Sequence, residues 1–248
     1  MIMEHVDIIN VAGLMMNGRD DGIEKALREA EVGRSVRTIA PTPYKLRHEG
    51  PEDGIARTGQ LLEQAIADID EQDGNSRIVV VGRSYGGFMA LMAAVRREFY
   101  RIFRVVLIEG PLHPDVEVGV PWLIPPLKAC RAHYEARSEL AREAVDYLAS
   151  HGTSQVVIVQ GGGKDSVVPV DAQALPGNFE STEWDGKGEL APANGQGRIV
   201  RLSPRLAGLG LSPRRLLPGG YRNHLFWKPE KMEAVVRIIS HSCSDHET

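Results

Sequence analysis

Five runs rich in apolar and β-branched residues, Val6 to Val11, Val36 to Ala40, Ile78 to Gly82, Val105 to Glu109 and Val156 to Gln160, punctuate the chain. Such runs suit parallel strands that are covered on both faces. Between and after them apolar residues recur every three or four positions, the period of a helix that buries one face. Ile55, Leu62, Ile66 and Ile69 form one stripe, Leu140, Ala144 and Leu148 a second, and Met232, Val235, Val236 and Ile239 a third. Pro229 falls at the first turn of the last helix, where its missing N–H costs nothing. The alternation predicts an α/β fold: a mostly parallel central sheet with helices on both faces.

Two segments break this rhythm. Residues 110–129 hold Pro111, Pro114, Pro121, Pro125 and Pro126 around Trp122, Leu123 and Ile124, so one continuous helix cannot form there, and a small apolar lid is expected over 110–135. Residues 172–198 are rich in Gly, Pro, Asn and acidic side chains with few apolar anchors, the composition of a surface insertion. The remainder reads as a single domain, since 248 residues in an α/β pattern are accommodated by one core.

Composition narrows the function classes. Charged residues make up 25% and apolar ones 42%, the balance of a soluble globular chain. A formal charge of -4 gives no general attraction for a polyanion, so nucleic acid is not an expected partner. No apolar run reaches the roughly 18 residues of a membrane span, and Glu4 and Asp7 stand where a secretory signal would be basic and then apolar. Cys130 and Cys243 are far apart and have no metal or redox spacing, which points to free thiols and a cytoplasmic setting. The histidines show no paired ligand spacing, and Gly161-Gly162-Gly163-Lys164 lacks the residues of a phosphate-binding Walker loop, so neither a metal nor another cofactor is expected.

Chemistry is concentrated at Gly82-Arg83-Ser84-Tyr85-Gly86, a G-x-S-x-G pattern directly after the Ile78 to Val81 run and directly before Gly87-Phe88-Met89-Ala90. A strand that turns this sharply into a helix lifts the serine hydroxyl clear of the sheet and aims the helix N-terminus at charge developing beside it. Side chains at the two flanking glycines would collide with the neighbouring backbone.

This pattern in this setting resembles the nucleophile elbow of the α/β-hydrolase superfamily, and the resemblance extends from Val6 to Ile239. It implies a serine esterase-like or lipase-like enzyme with the order nucleophile, acid, histidine. Ser84 is then the nucleophile. Asp165, in Gly163-Lys164-Asp165-Ser166-Val167-Val168-Pro169, takes the place of the acid, and His224, after Gly219-Gly220, that of the base. Glu109 is the alternative acid. The resemblance also assigns the oxyanion to two backbone donors, Tyr85 and a residue of the loop after the first strand, Leu14, with Met15 behind it. The chain has Ala12-Gly13 where the family commonly has His-Gly, and it starts near the family's third strand, which implies a reduced sheet. The last strand is either Ile199 to Leu202 or Arg215 to Leu217.

A hydroxyl is a poor nucleophile until an imidazole takes its proton, and a carboxylate holds that imidazole in the right tautomer. The expected activity is cleavage of a small or medium carboxylic ester or thioester through an acyl-enzyme. Met15, Met16, Trp122, Leu123, Ile124 and Leu127 are candidate walls of the acyl pocket. Acyl transfer or carbon–carbon bond hydrolysis would use the same three residues, and a non-catalytic ligand-binding protein is the rival class. The partner is a small acyl substrate, and nothing in the sequence reports an oligomeric state.

Overall fold

The computed structural model describes residues 5–13, 22–40, 50–118, 131–161, 168–190, 195–206 and 227–244. In chain order they form β1 (Val6–Val11), α1 (Ile23–Glu29), β2 (Ser35–Ile39), α2 (Pro51–Asp73), β3 (Arg77–Arg83), α3 (Tyr85–Arg96) and β4 (Ile102–Ile108). Then come α4 (Arg131–His151), β5 (Val156–Gln160), a 3-10 turn at Val170–Gln173, β6 (Phe179–Trp184), β7 (Gly197–Leu202) and α5 (Pro229–Ser244). The seven strands make one sheet in the order β2-β1-β3-β4-β5-β7-β6, and every pair is parallel.

Alternation along the strands divides the core in two. Ile9, Val11, Val80, Val105, Leu107 and Ile158 point to the face covered by α2, α3 and α4, where Ile55, Leu62, Ile66, Ile69, Leu140, Ala144 and Leu148 meet them. Ile8, Val79, Val81, Val106, Val159 and Val200 point to the other face, covered by Ile23 and Leu27 of α1 and by Val235, Val236 and Ile239 of α5. All three expected helical stripes are therefore core faces, and the strands are apolar on both sides because both sides are covered. Helix α3 is buried nearly all round, as befits a helix wedged between the sheet and α2 and α4. Helix α2 opens with Pro51 at its first position, and the Asp53 carboxylate accepts the Gly50 N–H at 3.2 Å.

Two expectations need correction. Residues 172–198 are not simply an excursion: Phe179–Trp184 is a strand at the sheet edge, paired with β7 from Phe179↔Gly197 to Trp184↔Leu202. Its flanking glycines and its two glutamates disguise it, since an edge strand buries little and tolerates charge. Strand β4 begins at Ile102 and ends at Ile108, so Glu109 lies just past it with a left-handed φ of 51°. The stretch Ile199 to Leu202 does belong to a strand, lodged between β5 and β6, whereas Arg215 to Leu217 lies outside the described residues.

Candidate active site

Ser84 occupies the single-residue junction between β3 and α3, with φ 52° and ψ -130°. A side-chain-bearing residue held in this sparsely populated region costs about 1–3 kcal/mol, and such strain persists only where the surroundings over-determine it. Here they do. The Ser84 N–H donates to the Ile108 carbonyl at 2.8 Å, fixing the turn to β4, and the Ser84 carbonyl accepts the Gly87 N–H at 3.0 Å, starting the helix.

The glycines around this junction are required by space. A Cβ on Gly82 would stand 2.6 Å from the Gly87 α-carbon, and one on Gly86 would stand 2.6 Å from the Ala12 carbonyl oxygen. Gly13 approaches from the β1 side, where a Cβ would lie 3.1 Å from the Arg83 carbonyl oxygen and 3.8 Å from the Ser84 Cβ. The loop after β1 therefore leaves the sheet right beside Ser84. Gly110 closes the opposite flank, its own Cβ position being 3.2 Å from the Ser84 carbonyl oxygen. Ser84 itself is half-buried and Tyr85, the first residue of α3, is fully buried. First-turn N–H groups have no intrahelical acceptor and point out of the helix end, the orientation that suits an oxyanion.

Of the residues expected from the sequence, Ser84, Tyr85 and Glu109 are placed. Asp165, His224, Leu14, Met15, Met16, Trp122, Leu123, Ile124 and Leu127 lie outside the described residues. Gly13 precedes Leu14, Gly161 ends the segment four residues before Asp165, and Trp227 begins the one three residues after His224.

Glu109, the alternative acid, has an occupied carboxylate. One oxygen pairs with Lys231 Nζ and the other accepts the Trp227 Nε1–H at 3.1 Å. The two charged side chains are only 2% and 4% exposed, so each depends on the other for its charge to be tolerated. The Arg83 guanidinium stacks on the Trp227 ring, 4.1 Å from its centroid, with Lys231 4.9 Å from the same centroid. A Cβ at Gly161 would collide with the Glu109 carboxylate, so β5 also ends against it.

Arg83, Trp227 and Lys231 were missed in the sequence. The signal for Lys231 was present: it falls on the buried face of α5 with Val235, Ile238 and Ser242, a charge inside an apolar stripe.

Arg137 of α4 was likewise unforeseen. Its buried guanidinium donates to the carbonyls of Pro111, His113 and Val116, gathering the start of the proline-rich segment. A cleft lined by Trp184, Leu190, Arg237 and His241 contains none of the candidate catalytic residues. Among the described residues no group of three or more His, Cys, Asp or Glu could hold a metal ion, and no helix is long and apolar enough to cross a membrane.

Neither a family model nor a curated protein sequence matches the chain. Solved structures do. The chain is similar to carboxyl esterase 2 from the mycorrhizal fungus Tuber melanosporum, with 14% identity, 99% of this chain and 80% of that one covered, and a TM-score of 0.58. It is similar to Est1E from Butyrivibrio proteoclasticus at 14% identity, with 96% and 87% covered and a TM-score of 0.53. A thermostable esterase from Pseudomonas putida ECU1011 is similar at 12% identity, with 99% and 76% covered and a TM-score of 0.55. At such identities the likeness is one of architecture. The parallel sheet covered on both faces, the strand order and the strained serine at the β3–α3 turn identify the chain as having the α/β-hydrolase fold.

Proposed function

We propose that the protein is a serine hydrolase that cleaves a small or medium carboxylic ester or thioester through an acyl-enzyme intermediate. The observation that carries the proposal is the backbone of Ser84, strained at φ 52° and ψ -130° between a buried strand and a buried helix. Strain of this kind has no packing value of its own; it serves to present a side chain. The structural neighbours described as esterases support the choice of bond.

In the proposed mechanism His224 accepts the Ser84 hydroxyl proton as Oγ attacks the carbonyl carbon. The tetrahedral oxyanion is received by the backbone N–H groups of Tyr85 and Leu14. Collapse breaks the bond to the leaving group, which takes the proton back from His224, and leaves an acyl-Ser84 ester. A water then gives its proton to His224, attacks the acyl carbon and releases the acid, returning the proton to Ser84. Asp165 orients His224 and stabilises its protonated form. It is preferred to Glu109 because both Glu109 oxygens are engaged by Lys231 and Trp227. Met15, Trp122 and Leu123 wall the acyl site. The wide separation of Cys130 and Cys243 in the sequence, without metal or redox spacing, supports a cytoplasmic setting.

The test is covalent labelling by a fluorophosphonate, with the modified peptide mapped to Ser84, together with ester and thioester hydrolysis by Ser84→Ala. Activity of the variant should fall by about four to six orders of magnitude. Absence of labelling in folded protein, or full activity without the hydroxyl, would refute the assignment.

A further inference from the structure

We propose that Glu109 and Lys231 are positioning residues for the general base, and that their buried ion pair, with Trp227 and Arg83, ties the histidine-bearing arm of the chain to the nucleophile's strand. The inference rests on the proposed function, in which His224 is that base. Arg83 adjoins Ser84, and Glu109 adjoins both Ile108, whose carbonyl accepts the Ser84 N–H, and Gly110, whose backbone meets the Ser84 carbonyl. Trp227 and Lys231 follow His224 by three and seven residues. The contacts Glu109–Trp227, Glu109–Lys231 and Arg83–Trp227 therefore hold two segments together that are distant in sequence, each at the point where it meets the proposed chemistry.

A device used only for packing would not need charge, since a buried ion pair is often no more stable than apolar residues of the same volume. Within this cluster Glu109 pairs with Lys231, and the Arg83 guanidinium lies on the Trp227 ring. Asp165 and His224 belong to the segments that adjoin Gly161 and Trp227 in sequence. The pair thus joins the two segments while its own charges cancel.

The distinguishing measurement is kcat and KM taken separately, since a displaced base slows the chemical step and leaves ground-state binding unchanged. Glu109→Gln leaves Lys231 buried without its counter-charge, breaks the tether and should lower kcat about tenfold or more with KM little changed. Lys231→Met leaves the carboxylate buried without its counter-charge and should have the same effect. The double variant, which leaves no member of the pair charged, should keep kcat about tenfold or more below wild type with KM little changed, because the tether is gone. Should either single variant fail to fold, Lys231→Arg, which keeps charge and pairing, should keep wild-type kcat, and the double variant should still show the loss of kcat.

Wild-type kcat in the double variant, or a loss of kcat in Lys231→Arg as large as in Lys231→Met, would overturn the inference while leaving the serine hydrolase reading intact. A fall of about four orders in Glu109→Gln with Asp165→Asn near wild type would overturn it too, by making Glu109 the catalytic acid. Failure of the parent reading looks different: no labelling at Ser84, and no acidic limb of kcat/KM against pH that disappears with His224→Ala.

Discussion

Gly82 and Gly87 face each other across the serine turn so closely that a methyl group on Gly82 would stand 2.6 Å from the Gly87 α-carbon and 2.8 Å from its nitrogen. Both partners are backbone, so nothing flexible can yield. Gly82→Ala is expected to destabilise the fold by about 1–3 kcal/mol and, by prising β3 from α3, to slow fluorophosphonate labelling at Ser84. Denaturant titration and labelling rates measured on the same sample check both effects. An alanine variant as stable and as reactive as the parent would mean that the turn is looser than its packing implies.

At the opposite end of the sheet Asp7, the second residue of β1, is buried and accepts hydrogen bonds from Ser35, Ser76 and Arg34. Burial alone would raise its pKa and is the largest single influence, yet the three partners together outweigh it and hold the carboxyl below its ordinary value. A lowered folded-state pKa means that the unfolded chain binds the proton more readily. The stabilisation is therefore complete above about pH 3.9 and is lost as pH falls below that through the folded-state value. Asp7→Asn is expected to remove this acid dependence and to cost about 2–3 kcal/mol at neutral pH. Urea midpoints of the two proteins, compared between neutral and acid buffers, check the sign: the gap should narrow on acidification.

Burial pushes the Cys243 thiol up to about 12, against a small opposing pull from Arg104. The thiolate is the reactive form, so in native protein at mildly alkaline pH the residue should resist a maleimide or disulfide reagent and should react once the chain is unfolded. Peptide mapping of residue 243 before and after denaturant reads this directly. Rapid modification under native conditions would contradict the packing of α5 on the sheet.

Arg137 is expected to control the mouth of the proline-rich segment. Arg137→Met deprives the carbonyls of Pro111, His113 and Val116 of their shared donor and should cost about 2 kcal/mol. Limited proteolysis should then cut between residues 111 and 118 several times faster, with α3 and the sheet still protected. Unchanged cutting would show that α4 holds the segment by other contacts.

The strands most easily read in the sequence were those whose surroundings are uniform. Val79, Val80 and Val81 are wholly buried because helices cover both faces, so their side chains carry a continuous signal. Phe179–Trp184 carries Glu180 and Glu183 and has a single strand neighbour, and only Trp184 within it is buried, so neither period nor hydrophobicity betrayed it. The serine turn was legible because steric exclusion writes itself into sequence as glycine at fixed offsets. The cluster of Arg83, Glu109, Trp227 and Lys231 was not, because contacts between residues of β3, the end of β4 and α5 exist only once the chain has folded. The same holds for Arg137, whose acceptors are main-chain carbonyls that any sequence would provide.

Strand β6 pairs with β7, the strand that comes after it in the chain. During synthesis Phe179 to Trp184 must emerge and wait, with no ladder to join, until Leu202 has followed. The two strands on this side of the sheet are thus assembled backwards, the inner strand docking last in sequence but first in space. Nascent chains arrested between residues 184 and 197 should therefore carry five strands whose α5 face is still uncovered and an unpaired sixth segment, the stage at which this protein most needs protection from its neighbours.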